Sequence, residues 1–347
     1  MSEWIIEQGT FLLQTLVLVG LIGIAVVLVM RAKEGADQPF TLRIDTLNDQ
    51  RRYRRRRLKM AASAPNQRKK LMKAFRRDDK TREKNASKKS DEGDHQRVWV
   101  LDFHGDIRAS ATEHFAEEVS AIIDVAEAND EVVVRLESGG GLVHAYGLAA
   151  AQVDRLRDAG LKTTVCIDKV AASGGYLMAC SATHIKAAPF AVIGSIGVIA
   201  QVPNIHRLLK RHDIDVELLT AGKYKRTLTV LGENTEEGRE KFMDDLENTH
   251  RLFKAHVAER RPQMDIDTLA TGEIWYGSEA VELKLIDSVQ TSEAYLFERM
   301  QKAKVMSVAL EPPQTLSRKL GQAVSHGIER AGVKTLGVLE ASRWYKQ

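Results

Sequence analysis

Four short stretches carry residue types that could do chemistry together. In KVAASGGYLMAC (169–180) a lone serine, Ser173, precedes Gly174 and Gly175 at a change from strand-like to helix-like pattern. A serine hydroxyl attacks a carbonyl only when a base takes its proton. The two glycines leave room for a carbonyl, and the Gly174 N–H is placed to donate to an oxyanion. The same residues also describe a helix N-cap with glycines for close packing, and the local sequence by itself favours that plainer account.

The second stretch, ESGGG (137–141), follows a strand and opens a helix. Such a turn presents backbone amides, so Gly140 or Gly141 could supply a second oxyanion donor; a tight strand–helix turn explains it equally well. The third, GSIGV (194–198), holds a second glycine-flanked serine, Ser195. The fourth, TAGKYKRT (220–227), gathers Lys223, Lys225 and Arg226 in one loop. A free lysine titrates near pH 10.4, and burial lowers that by roughly 3–5 units, so a lysine base needs a dry pocket. A solvated cationic loop is the alternative. The 10 histidines form no triad pattern, and Asp168 is free by sequence to orient a base or to pair with Lys169. G-x-G-x-x-G, the phosphate-loop signature and H-E-x-x-H do not occur, and Cys166 and Cys180 lack metal-ligand spacing. No cofactor and no metal are expected.

These stretches must be positioned by the elements around them. Alternation predicts strands at 97–103, 131–136, 162–167, 184–188, 191–200 and 215–220. Helical periodicity predicts helices at 111–128, 147–159, 174–182, 235–260 and 279–285. Strands alternating with helices imply an α/β domain of βαβ units, large enough in a chain of 347 residues to bury a core.

Charge is unevenly placed. The net charge is +4, yet residues 31–97 hold 22 Lys/Arg against 10 Asp/Glu, leaving the remainder mildly acidic. Just before this basic stretch, residues 11–30 (FLLQTLVLVGLIGIAVVLVM) form an apolar run of bilayer-spanning length, read as a retained anchor rather than a cleaved leader. Next to an anchor, RRYRRRRLK (51–59) and RKKLMKAFRR (68–77) read as segments lying against anionic lipid headgroups, and not as a nucleic-acid site. The organisation expected is a flank at 1–10, an anchor at 11–30, a basic helical segment at 31–96, the α/β domain at 97–305 and an amphipathic segment at 306–347. The Lys/Arg excess after the run places the domain on the cytoplasmic side.

AASGGYLMA, GSIGV and AGKYKRT, in this order, resemble the signal peptide peptidase A family of Ser-Lys peptidases, also called family S49, over roughly residues 97–290. The basic N-terminal region and LGENTEEGREKF (231–242) resemble an inner-membrane branch of that family. The resemblance implies that Ser173 is the nucleophile and Lys225, 52 residues on, the general base, with Lys223 the second choice. It implies a ClpP/crotonase-like superhelical domain, a membrane-anchored serine endopeptidase acting on hydrophobic or membrane-derived peptides, a bacterial inner-membrane location (with the periplasmic side more usual) and ring-like homo-oligomers. In single-length members the serine and lysine can come from adjacent subunits. Gly139 stands where the family usually has proline, and Lys284 where a glycine is common. The competing functions are a non-catalytic membrane scaffold and a crotonase-type acyl-thioester enzyme.

Overall fold

The computed structural model describes residues 40–88 and 96–311, together with Leu18. The expected flank at 1–10, the expected anchor at 11–30 apart from Leu18, and residues 312–347 of the expected amphipathic segment lie outside the described residues. Among the described residues no helix is long and apolar enough to cross a membrane. Residues 43–309 form one compact unit; residues 1–42 and 310–347 form another, described only at Leu18, 40–42 and 310–311.

The chain begins with β1 (Thr41–Thr46), α1 (Leu47–Ala62) and α2 (Pro65–Lys88), then runs through β2 (Arg97–Gly105), α3 (Thr112–Ile123), β3 (Glu131–Ser138) and α4 (Val143–Asp158). It continues with β4 (Lys162–Ile167), β5 (Val170–Ala172), α5 (Gly174–Cys180), β6 (His184–Ala187), β7 (Val192–Gly194) and α6 (His206–Arg211). Last come α7 (Glu236–Arg260), α8 (Ile266–Leu269), β8 (Ile274–Tyr276), α9 (Gly277–Ala280), β9 (Ser288–Val289), α10 (Ser292–Lys302) and β10 (Lys304–Glu311). The strand order is β1-β10-β2-β3-β4-β6-β9, and each neighbouring pair from β10 to β9 is parallel. The fold is mixed α/β, as the βαβ alternation requires.

Parallel strands buried on both faces read as continuous apolar runs, and β2 shows why. Trp99, Leu101 and Phe103 face a large core shared with Phe115 and Val119 of α3 and Val153 and Leu156 of α4. Val98 and Val100 face the other way, onto Tyr295 and Leu296 of α10. Beyond Leu101 that second face turns polar, where Arg135 forks onto Asp102 with two bonds of 2.6 Å.

A smaller layer carries the site. β5 leaves the main sheet at the carboxyl end of β3, with Ala171 opposite Ser138. It pairs in parallel with β7, Ala172 opposite Gly194, and β7 pairs antiparallel with β8. Open α/β sheets place their reactive groups at the carboxyl ends of strands, and both glycine-rich stretches fall there.

Several expected boundaries are corrected. The helix predicted from Gly147 starts at Val143, because Leu142 C=O already accepts the Tyr146 N–H, and a Cβ at Gly147 would meet nothing within 4 Å. The helix predicted to 128 ends at Ile123, where 3₁₀-type turns take over. The helix predicted at 279–285 is the short α9 followed by turns. Residues 215–220 form no strand: among the described residues they pair with none of the sheet, and Leu218 and Leu219 are exposed. Lys304–Glu311 is one strand, so it crosses the boundary expected at 305/306.

Asp130, buried just before β3, holds this end of the sheet together. It accepts from Trp99 Nε1 at 3.0 Å, Arg97 Nε at 2.9 Å and the backbone N–H of Arg97 and Glu127. Burial pushes its carboxyl up, but these donors outweigh it and hold the group below the ordinary carboxylate range. A carboxyl depressed in the folded state stabilises above its unfolded pKa of about 3.9, and that stabilisation is lost as pH falls through the lower folded value. Asp130→Asn is expected to lose about 2 kcal/mol at neutral pH. Thermal unfolding followed by circular dichroism from neutral pH to about pH 3 should also show a flatter acid limb than in the parent.

Candidate active site

Ser173 joins β5 to α5 with φ 52° and ψ −120°. A capping serine has extended φ/ψ and its oxygen accepts an N–H from the first helical turn. Ser173 does neither: its φ is positive and its side chain makes no cap bond. The backbone, by contrast, is fully used. Ser173 N–H donates to Gly194 C=O at 2.8 Å, and its C=O accepts from Leu177 N–H at 2.9 Å. The half-buried hydroxyl has no protein partner among the described residues. A non-glycine residue in this region costs of order 1–3 kcal/mol, which an ordinary cap would not incur.

Three glycines make the close approach possible. A Cβ on Gly140, itself at φ +87°, would lie 2.7 Å from Gly174 N and 2.8 Å from Ser173 Cβ. One on Gly174 would stand 2.4 Å from the Tyr146 ring, and one on Gly175 2.5 Å from Ser138 C=O. Of the expected oxyanion residues, Gly140 and Gly174 therefore lie against Ser173, while Gly141, next in the chain, packs on Ile107. Their N–H groups differ. Gly140 N–H donates to Ser138 Oγ at 3.1 Å, whereas Gly141 and Gly174 N–H have no partner among the described residues.

Sequence reasoning missed the support beneath this turn. Ser138 Oγ and Tyr146 OH lie 2.6 Å apart, and Tyr146 OH donates to Asp106 C=O at 2.7 Å. Both side chains are buried, and burial foremost holds the Tyr146 phenol above its ordinary pKa, so it stays a proton donor. The available signal was a serine beside the glycines and a tyrosine one turn into the helix. The 106–109 loop also packs on the turn, with Leu142 N–H donating to Ile107 C=O at 2.8 Å. Ile107, Leu142 and Val143 leave exposed apolar side chains around it.

Ser195 lies next to the site, one residue past the Ala172–Gly194 register pair, with φ 53° and its N–H on Glu273 C=O. Tyr176 is fully buried below α5, its OH on Leu285 C=O. Asp168 does not orient a base: it accepts from Ser292 N–H at 2.8 Å and from Ser292 Oγ, at the start of α10. Lys169 pairs with Glu137 instead, at 2.9 Å.

The two lysines are distinguished by their partners. Lys223 forms an ion pair with Glu237 at 2.7 Å, which raises its pKa and stabilises the ammonium form. Lys225 sits in the same exposed turn, its N–H on Gly222 C=O, and its ammonium has no carboxylate partner among the described residues. No hydrogen bond joins Lys225 to Ser173 within the chain, among the described residues. Around that turn, residues 197–231 expose a run of large apolar side chains, Ile199 at 94% and Leu219 at 89% among them.

Comparison with known proteins adds ancestry to this geometry. The family Peptidase family S49 N-terminal matches residues 3–153, and Peptidase family S49 matches residues 155–306. The protein named "Probable protease SohB" of Haemophilus influenzae is 56% identical over 225 residues, 65% of this chain and 64% of its own length. The protein of the same name from Buchnera aphidicola subsp. Acyrthosiphon pisum is 47% identical over 239 residues, 69% of this chain and 71% of its own. The matched region thus spans just under two thirds of the Haemophilus protein. Among solved structures, a substrate-peptide complex of the 1510-N membrane-bound stomatin-specific protease aligns with a TM-score of 0.40 and 14% identity, over 67% of this chain and 99% of that one.

If the positive φ at Ser173 is strain held for a purpose, replacing the residue separates stability from chemistry. Ser173→Gly is expected to be more stable than Ser173→Ala by about 1 kcal/mol, because only glycine relaxes at φ 52°. Chemical denaturation of the two variants measures the difference.

Proposed function

The chain belongs to peptidase family S49, beside the SohB proteins, and from that premise we propose that it is a membrane-anchored serine endopeptidase with Ser173 as nucleophile and Lys225 as general base. The observation that carries this reading is the backbone of Ser173: a strained, uncapped serine whose hydroxyl has no protein partner among the described residues and which lies against Gly140 and next to Gly174. Family membership supplies the serine-lysine chemistry; the elbow gives it a place to occur.

In this reading the Lys225 amine takes the Oγ proton as the Ser173 oxygen bonds to the peptide carbonyl carbon. The carbonyl oxygen becomes an oxyanion, stabilised by the free N–H groups of Gly141 and Gly174. Gly140 shapes the turn while its own N–H stays on Ser138. The carbon–nitrogen bond then breaks, the lysine returns the proton to the leaving amine, and water hydrolyses the acyl-serine. No step calls for a metal or cofactor. Exposed Ile107, Leu142 and Val143 favour apolar substrate side chains.

The reading extends to assembly. An exposed Lys225 without a carboxylate partner among the described residues, on an arm with many uncovered apolar side chains, suits a lysine delivered to the serine of a neighbouring copy in a ring-like homo-oligomer of ClpP/crotonase type. Burial between copies disfavours the charged form of a lysine, as a base requires. Residues 11–30 anchor the protein in the bacterial inner membrane, and the basic segment at 31–96 precedes a peptidase domain at 97–305.

Ser173→Ala and Lys225→Ala are each expected to lose more than 1,000-fold in hydrolysis of a fluorogenic apolar peptide. Fluorophosphonate labelling should vanish in Ser173→Ala. Co-assembling the two inactive variants should restore part of the activity, because some interfaces then join an intact serine to an intact lysine. Wild-type activity in both variants would exclude the dyad. No labelling of the parent at any pH would favour the scaffold, and reporter fusions at the C-terminus decide the side of the membrane.

A further inference from the structure

The arginine-rich α1 is not a loose basic tail. Asn48 clamps it to the end of the peptidase unit: its amide nitrogen donates to Met300 and Ala303 C=O at 3.0 Å each, and its oxygen accepts Val305 N–H at 2.8 Å. Arg51, one turn on, lays its guanidinium 3.7 Å from the centroid of the Phe297 ring. Beside the clamp lies an open cleft of about 1230 Å³, lined by α1, by α10 and by Arg135 of β3 and Ser307 of β10.

Its lining is of two kinds. One is cationic: Arg51, Arg54, Arg55 and Lys59 of α1 face it, and among the described residues none of the four is paired with a carboxylate. Other cations of this region are neutralised, Arg52 by Asp49, Arg56 by Asp78 and Asp79, and Arg135 by Asp102. Asp45 and Glu293 are the acids in the lining, and Asp45 is held by Arg43 at 2.8 Å. The other kind is apolar: Leu58, Leu296, Phe297 and Met300, with Leu58 71% and Phe297 46% exposed.

We propose that this cleft binds an anionic phospholipid, its phosphate on the unpaired cations of α1 and the start of an acyl chain along Leu58, Phe297 and Met300. Guanidinium groups match phosphate oxygens two at a time, which accounts for arginine at three of the four positions. A free anion would leave the Leu58–Phe297–Met300 strip uncovered, and stacked bases would find one aromatic ring in the lining, Phe297, with Arg51 already over it, so the mixed lining favours an amphiphile over either. The apolar run at 11–30 ends 17 residues before Leu47, and extended chain of that length reaches at most about 60 Å, so the cleft stays within reach of the bilayer surface. The inference concerns a site remote in sequence from Ser173 and stands whether or not the peptidase reading does.

The test uses the full chain in a neutral detergent and short-chain lipids, so that the apolar run does not itself report as binding. Dihexanoyl-phosphatidylglycerol, dihexanoyl-phosphatidylcholine and inorganic phosphate are titrated by calorimetry. Arg54→Gln/Arg55→Gln/Lys59→Gln removes three of the four unpaired cations of the cleft, and these side chains have no carboxylate partner among the described residues to lose, so the unfolding temperature should hold. Lys69→Gln/Lys70→Gln/Lys73→Gln removes the same charge from α2, away from the cleft. Phosphatidylglycerol is expected to bind the parent at least tenfold more tightly than either phosphatidylcholine or phosphate. The cleft variant should lose at least tenfold and the α2 variant less than twofold. Equal losses in both variants would reduce the effect to bulk charge and overturn the site. Phosphate binding as tightly as phosphatidylglycerol would overturn the lipid assignment, as would single-stranded RNA displacing the lipid from the parent but not binding the cleft variant.

Discussion

Holding a serine at φ 52° and ψ −120° requires neighbours that leave it no easier conformation. The constraint begins with one hydrogen bond, Ser173 N–H to Gly194 C=O, which continues the β5–β7 ladder one residue beyond its last register pair. α5 begins at once on the other side, with Leu177 N–H on Ser173 C=O. The residue is thus fixed at both peptide groups, and its side chain is displaced from the position a cap would occupy. Strain of this kind persists only where the surroundings over-determine it.

Those surroundings are made of absent side chains and one buried polar chain. Gly140, Gly174 and Gly175 let backbone approach backbone at distances no Cβ could share. Below them, Asp106 C=O, Tyr146 and Ser138 form a hydrogen-bonded column ending at Gly140 N–H. Every polar group in that column has a partner, as a buried network must if it is to rigidify rather than destabilise. The turn that faces Ser173 is therefore anchored in the core, and among the described residues the N–H groups without a partner here are Gly141 of the turn and Gly174 of α5.

The sequence disclosed this arrangement unevenly. The strands β2, β3 and β4 were legible because a parallel sheet buried on both faces leaves apolar runs such as VWVL and VVV that few other structures need. The glycine stretches were legible as close approaches, and Ser173 as either cap or nucleophile; only the backbone angles separate these, and no residue pattern encodes them. Tyr146 and Ser138 escaped notice because their link joins the first turn of α4 to the strand before it across the glycine turn, a pairing with no fixed spacing. Residues 215–220 have the pattern of a strand yet pair with no strand among the described residues, because a strand forms only where a partner offers its edge. The docking of α1 through Asn48 was hidden for a similar reason, since Asn48 and Val305 lie 257 residues apart.

The proposed dyad joins a backbone-constrained serine to a lysine in an exposed turn, and no hydrogen bond links the two within the chain among the described residues. The measurement that addresses it most directly is a structure of the assembled full chain with a fluorophosphonate bonded to Ser173. The account predicts Lys225 Nζ about 2.6–3.2 Å from the serine oxygen, within hydrogen-bond reach and shielded from solvent by a neighbouring copy. A Lys225 ammonium in open solvent and beyond hydrogen-bond reach of that oxygen in every pairing of copies would contradict it.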